Sequence, residues 1–172
     1  MLTRRNFGLA GIGLVAAAAS WRATTSHANE ETMSTATKDA PFEVTKTPEA
    51  WRKQLTPEQF YVLREQGTER AGTSPLDKTY AAGTYDCAGC DLPLFSSETK
   101  FNSGTGWPSF FKPLDNAVGT SVDKSFFSTR TEVHCRRCGG HLGHVFEDGP
   151  PPTGLRYCMN GVALKFVPKA AG

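Results

Sequence analysis

Two groups of side chains in this sequence could do chemistry: five cysteines, and a pair of histidines three residues apart. Four of the cysteines form two C-x-x-C knuckles, Cys87-Ala-Gly-Cys90 and Cys135-Arg-Arg-Cys138. Zinc favours four thiolates in a tetrahedron, and a two-residue spacer lets one tight turn offer two of them to the same ion. Gly89 and Gly139 suit such turns. The 44 residues between Cys90 and Cys135 exceed the spacing of a compact zinc ribbon, so the knuckles are expected on separate hairpins with the metal closing a long loop. Two disulfides or a redox-active pair are the competing readings. A C-x-x-C disulfide closes a very short loop and adds little by chain entropy, so the paired knuckles favour structural zinc.

The fifth, Cys158, lies in Arg156-Tyr157-Cys158-Met159-Asn160. In an extended segment Arg156, Cys158 and Asn160 share a face. A guanidinium beside a thiol favours the thiolate, which is the nucleophilic form. A buried, inert thiol is the alternative. His141-Leu142-Gly143-His144-Val145-Phe146 supplies two imidazoles, as ligands, as core residues or as partners of a nucleophilic cysteine. Gly106-Trp107-Pro108-Ser109-Phe110-Phe111 is an aromatic cluster that serves either the core or the wall of a small pocket.

Local patterns say what must position these groups. Thr47-Pro48 and Thr56-Pro57 each read as a helix start, a capping hydroxyl followed by Pro at the first helical position. Thr56 and Gln59 have capping-box spacing, Leu55, Phe60 and Leu63 make an apolar stripe, and Gly67 is the expected stop. Beyond Gly67 the signals are those of short strands between Gly, Pro, Asn and Asp: residues 83–86, 126–134 and 161–167, the last with Val162, Leu164 and Phe166 alternating. These predict a mainly β domain, two small helices on antiparallel sheet.

Residues 1–28 read as an export signal. Arg4 and Arg5 precede a weakly apolar, Gly- and Ala-rich run over residues 7–20, and Ser26-His27-Ala28 offers a cleavage site. The arginine pair and Phe7 resemble a twin-arginine signal, a receptor-read address. An uncleaved anchor helix is the competing reading, but the apolar run is rich in small residues and short of the roughly 20 that a membrane span needs, so no stable membrane insertion is expected after cleavage. The signal also holds Arg22 and no acid, so the remainder has 16 basic against 17 acidic side chains. That near-neutral balance lacks the basic footprint of a nucleic-acid binder. Residues 29–46 read as a flexible leader and 47–169 as the folded domain.

Taken in order, Cys87-x-x-Cys90, Ser103-Gly-Thr-Gly-Trp-Pro-Ser-Phe110, Cys135-x-x-Cys138, His141-Leu-Gly-His-Val-Phe146, Asp148-Gly-Pro and Arg156-Tyr-Cys-Met-Asn160 closely resemble the B-type peptide-methionine sulfoxide reductases. The resemblance spans residues 51–168. It implies two antiparallel sheets, a structural zinc held by Cys87, Cys90, Cys135 and Cys138, and reduction of the R epimer of methionine sulfoxide in oxidised proteins. Cys158 matches the family's nucleophile and His144 its acid, with His141 holding the oxygen. Asn160, Arg156 and Phe146 belong to the same site, and Trp107 matches the wall that receives the S-methyl group. The implied product is methionine plus a sulfenic acid on Cys158.

One position departs from a common family pattern. Where many members carry a resolving cysteine, this chain has Thr105, and no cysteine lies outside the knuckles and Cys158. Regeneration is therefore expected from a thioredoxin-like protein or another external thiol. Export would place a monomeric repair enzyme in the periplasm or an equivalent compartment. Two other classes compete: a zinc-ribbon binding module, which would use Arg136 and Arg137, and a disulfide oxidoreductase working through one C-x-x-C pair.

Overall fold

A computed structural model describes residues 42–125 and 128–170. The expected signal and residues 29–41 of the expected leader lie outside the described residues. Residues 42–46 dock on the second knuckle: the Val44 N–H donates to the Arg137 carbonyl at 2.9 Å, and the Phe42 ring meets His134 edge-on at 5.7 Å.

Both expected helices form. In α1 (Pro48–Gln54) the Thr47 hydroxyl accepts from the Ala50 N–H, and in α2 (Pro57–Glu65) Thr56 and Gln59 complete the capping box. Trp51, Leu55, Phe60, Val62 and Leu63 are buried, which is the expected stripe with Trp51 and Val62 added. The stop differs in detail. Gln66, not Gly67, takes the left-handed conformation at the end of α2. Gly67 lets the Tyr61 ring lie over it, since a Cβ there would come within 2.2 Å of that ring and make it swing away.

Nine strands follow among the described residues, all paired antiparallel. Strands β1 (Gly83–Cys87), β2 (Pro93–Ser96) and β9 (Leu164–Pro168) make a three-stranded sheet in the order β2-β1-β9. Strands β3 (Lys100–Phe101), β4 (Ser109–Phe110), β5 (Val118–Asp123), β6 (Arg130–Cys135), β7 (His141–Phe146) and β8 (Arg156–Met159) make a six-stranded sheet in the order β3-β4-β8-β7-β6-β5. The two sheets meet over a buried aromatic core. Phe95 of β2 stacks on Phe110 of β4 at 4.4 Å, and Tyr85 of β1 meets the same ring at 4.9 Å. Among the described residues no helix is long and apolar enough to cross a membrane.

The strand expected over 161–167 begins only at Leu164. Gly161–Ala163 coil into a short 3-10 turn whose first two N–H groups donate to the Glu69 carboxylate, at 2.6 and 2.9 Å. The expected alternation survives after it, with Leu164 buried and Lys165 exposed.

Candidate active site and metal centre

The two knuckles are the turns of two hairpins, β1–β2 and β6–β7, and they are built alike. The Cys87 N–H donates to the Leu92 carbonyl and the Cys135 N–H to the Gly140 carbonyl. The Asp91 N–H closes back to the Cys87 carbonyl at 2.9 Å, and the Gly139 N–H to the Cys135 carbonyl at 2.8 Å. Asp91 and Gly139 both have positive φ. The left-handed residue is thus the one after each second cysteine, so Gly139 fits the expectation and Gly89 does not take that role. Gly89 instead offers its carbonyl to Gln54 Nε2 at 2.7 Å.

Each sheet therefore brings two thiols to one point. All four sulfurs lie within 4.8 Å of one another, and the closest approaches cross between knuckles: Cys87–Cys138 at 3.7 Å and Cys90–Cys135 at 3.5 Å. None of the five cysteines is in a disulfide. An ion with bonds of about 2.3 Å to four sulfurs needs tetrahedral edges of about 3.8 Å, so the residues present fit a thiolate-bound metal. Arg136 and Arg137, which a binding module would present outward, work internally. Arg137 donates to the Cys90 carbonyl at 3.2 Å, Arg136 bonds the Asn116 carbonyl, and both face Glu43.

Cys158 stands elsewhere, in the middle of β8. Its register partners are His144 on β7 and Ser109 on β4. Across this face, one polar row runs from Ser109 through Cys158, His144 and Glu132 to Ser121. Residues three apart on a regular strand point to opposite faces. His141 and His144 nonetheless share one, with ring centroids 5.3 Å apart, because β7 bulges at Leu142. Asn160 holds that bulge: its backbone N–H and its side-chain Nδ2 both donate to the Leu142 carbonyl, at 2.8 and 3.0 Å. Its Oδ1 accepts from the Glu69 N–H. At Gly143 a Cβ would lie 2.1 Å from the Cys158 carbonyl, so only glycine lets β7 approach β8 here.

A pocket of about 120 Å³ gathers Cys158, His144, Trp107, Phe146 and Asn160. His141 and Arg156, also expected in the site, stand just outside its lining. His141 lies behind His144 with Nδ1 on Glu132 Oε1 at 2.9 Å. Arg156 is held by a two-pronged bond to Asp148, at 2.8 Å in each arm, and stacks on Phe146. Trp107 is fixed by its indole N–H, which donates to the Glu69 carbonyl at 3.2 Å. The Thr105 hydroxyl lies 3.9 Å from Cys158 Sγ, at the end of a chain of hydroxyls through Ser103 to Ser109.

Burial, the largest influence, pushes the Cys158 thiol above its ordinary range, while Thr105, Arg156 and Ser109 pull it back only in part. The guanidinium acts in the expected direction and is outweighed. Burial likewise lowers His144 below the usual imidazole range, against the opposing pull of its bond to Asp123. That bond joins Nε2 to Asp123 Oδ2 at 2.8 Å. Ser125 first, then His144 and Arg130, hold the Asp123 carboxyl far below its usual range. The resting pair is thus a neutral thiol and a neutral imidazole, with Nε2–H spent on Asp123 and Nδ1 left for the pocket.

Three groups escaped the sequence reading. Asp123 could have been suspected from Asp123-x-Ser125, whose turn the Ser125 N–H closes onto Asp123 Oδ1. Glu132 shows only as a polar residue in a strand. Glu69, which ties Asn160, the 161–163 turn and Trp107 together, leaves no local signal.

A family model described as the SelR domain matches residues 55–168. The chain is 56% identical over 126 residues to the peptide methionine sulfoxide reductase MsrB of Leptospira interrogans, covering 73% of this chain and 96% of that one. It is 57% identical over 125 residues to the MsrB of Thiobacillus denitrificans, covering 72% and 95%. With the chloroplastic peptide methionine sulfoxide reductase B1 of Arabidopsis thaliana it shares 56% identity over 116 residues, covering 67% and 57%.

Proposed function

The chain belongs to the SelR family and is an oxidoreductase acting on methionine sulfoxide, and from that premise we propose that it reduces the R epimer through attack by Cys158. The observation that carries this reading is the direct pairing of Cys158 with His144 across the β7–β8 ladder, in one pocket with Trp107.

The sulfoxide's S-methyl group lies against Trp107, a contact that a polarizable sulfur favours. His144 Nδ1 takes the Cys158 proton, and the thiolate attacks the sulfoxide sulfur. The same proton then passes to the oxygen, and the hydroxyl shifts from the substrate sulfur to Sγ as both the S–O bond and the transient Sγ–S bond break. The oxygen ends on Cys158 as a sulfenic acid, and methionine leaves. No net proton is taken from water. Asp123 is a positioning residue that keeps Nε2–H occupied and steadies the imidazolium. Glu132 does the same for His141, which stands behind His144 and would hold the oxygen as it develops charge. Asn160 sets the bulge that turns both rings to the thiol.

Regeneration follows from the hydroxyl at Thr105. An external thiol attacks the sulfenic acid, releasing water and leaving a mixed disulfide. A second thiol then frees Cys158 and departs as the oxidised partner. Cys87, Cys90, Cys135 and Cys138 would hold zinc, which would fasten the two sheets. Residues 1–28 direct the folded, loaded protein out of the cytoplasm, so Arg4→Lys with Arg5→Lys should retain it there.

The test is stereochemical. N-acetyl-methionine sulfoxide, resolved into its epimers, is offered with a small thiol as reductant. Turnover of the R epimer alone, lost in Cys158→Ser, is expected. Equal turnover of both epimers, or a fully active Cys158→Ser, would end this reading.

A further inference from the structure

The Cys158 pocket is sized for one side chain. Through Thr68, Arg130 and His144 it is continuous with a cleft of about 480 Å³ between the end of α2 and the end of β5. That volume lies in the range of about 300–1,000 Å³ that ligand sites occupy. The reduction itself uses only the polar floor of the cleft, where Asp123 and Glu132 hold the two histidines. Its walls are different. Of the four large hydrophobic side chains exposed among the described residues, two line it: Tyr61 at 51% and Val122 at 67%.

Single exposed apolar side chains are common and need no explanation. Two lining one cleft that leads to a reactive thiol are a different matter, because covering them favours association. The Tyr61 ring lies over the backbone of Gly67, where the lack of a Cβ leaves room for it at the cleft wall.

We infer that this cleft receives the residues flanking the sulfoxide in an extended polypeptide, with a bulky apolar neighbour of the methionine seated between Tyr61 and Val122. The inference rests on the reading of the Cys158 pocket given above. The occupant follows from continuity: the sulfoxide side chain fills the small pocket, and the larger cleft that adjoins it at Thr68, Arg130 and His144 lies where the chain bearing that side chain would run. A free amino acid would leave that cleft empty.

The experiment uses the full chain and dithiothreitol as reductant. It compares kcat/KM for N-acetyl-methionine R-sulfoxide amide with that for a heptapeptide carrying the R-sulfoxide at its centre between leucine and phenylalanine. The wild type should prefer the peptide by about tenfold or more, and Tyr61→Ala and Val122→Ser should each cut the peptide-to-amide ratio by about three- to tenfold, through KM. A ratio near one in the wild type, or one unmoved by both variants, overturns the inference while leaving the proposed function standing. A loss that appears only when a thioredoxin-type protein replaces dithiothreitol also overturns it, since the cleft would then serve the reductant. If the wild type reduces neither substrate, the proposed function fails as well.

Discussion

The four knuckle sulfurs and the fifth sit in opposite surroundings. At the knuckles, two hairpins from different sheets aim their thiols at one another, at distances set by two matching turns. At Cys158 a strand interior aims one thiol at hydroxyls and an imidazole. Crowded thiols cannot all lose their protons without a cation among them. A solitary buried thiol keeps its proton until a substrate and a base arrive. The same side chain is thus placed to fasten in one place and, on the proposed function, to react in the other, and neighbours decide which.

That contrast can be broken in order of expected effect. Cys158→Ser should lower turnover by at least about a thousandfold while leaving metal content and melting temperature unchanged. Cys135→Ser should do the converse, costing about 4 kcal/mol or more in denaturant unfolding with the loss of one bound metal per chain. A Cys135→Ser protein that melts normally would remove the metal from the folding account.

A smaller effect probes the base. His144 has its pKa lowered, so its neutral form is favoured by folding, and activity should be flat through neutrality and fall as the pH drops below 6.5. Asp123 supports the imidazolium, so Asp123→Asn should push that acid limb to still lower pH and cut the rate by on the order of tenfold to a hundredfold. An unshifted limb in that variant would mean that Asp123 only fills space. The smallest effect is structural. Glu69→Ala leaves two N–H groups of the 161–163 turn without acceptors and should cost about 1–2 kcal/mol, read as a lower melting temperature with metal retained.

The sequence was most legible where chemistry is local. Cysteine spacing announced the cage, and Thr-Pro pairs announced both helices, because a cap or a knuckle is complete within a few residues. Spacing is silent where the backbone departs from regularity. His141 and His144 share a face only through the bulge at Leu142, and Asn160, remote in sequence, holds it. Arg156 beside Cys158 reads as an activator until burial and Asp148 are weighed. Glu69 was invisible, since its partners lie up to 93 residues away and nothing near it in sequence hints at them.

The likeness of the two knuckles has a consequence for motion. Each hairpin turn is closed by its own backbone bonds, yet with a metal ion held by all four thiolates neither could open without pulling two sulfurs from the shared cage. Local fluctuations that would otherwise fray one turn at a time are thereby tied together. In hydrogen exchange, the amides of Asp91 and Gly139, on different sheets and 48 positions apart, should be protected to the same degree and released in a single step.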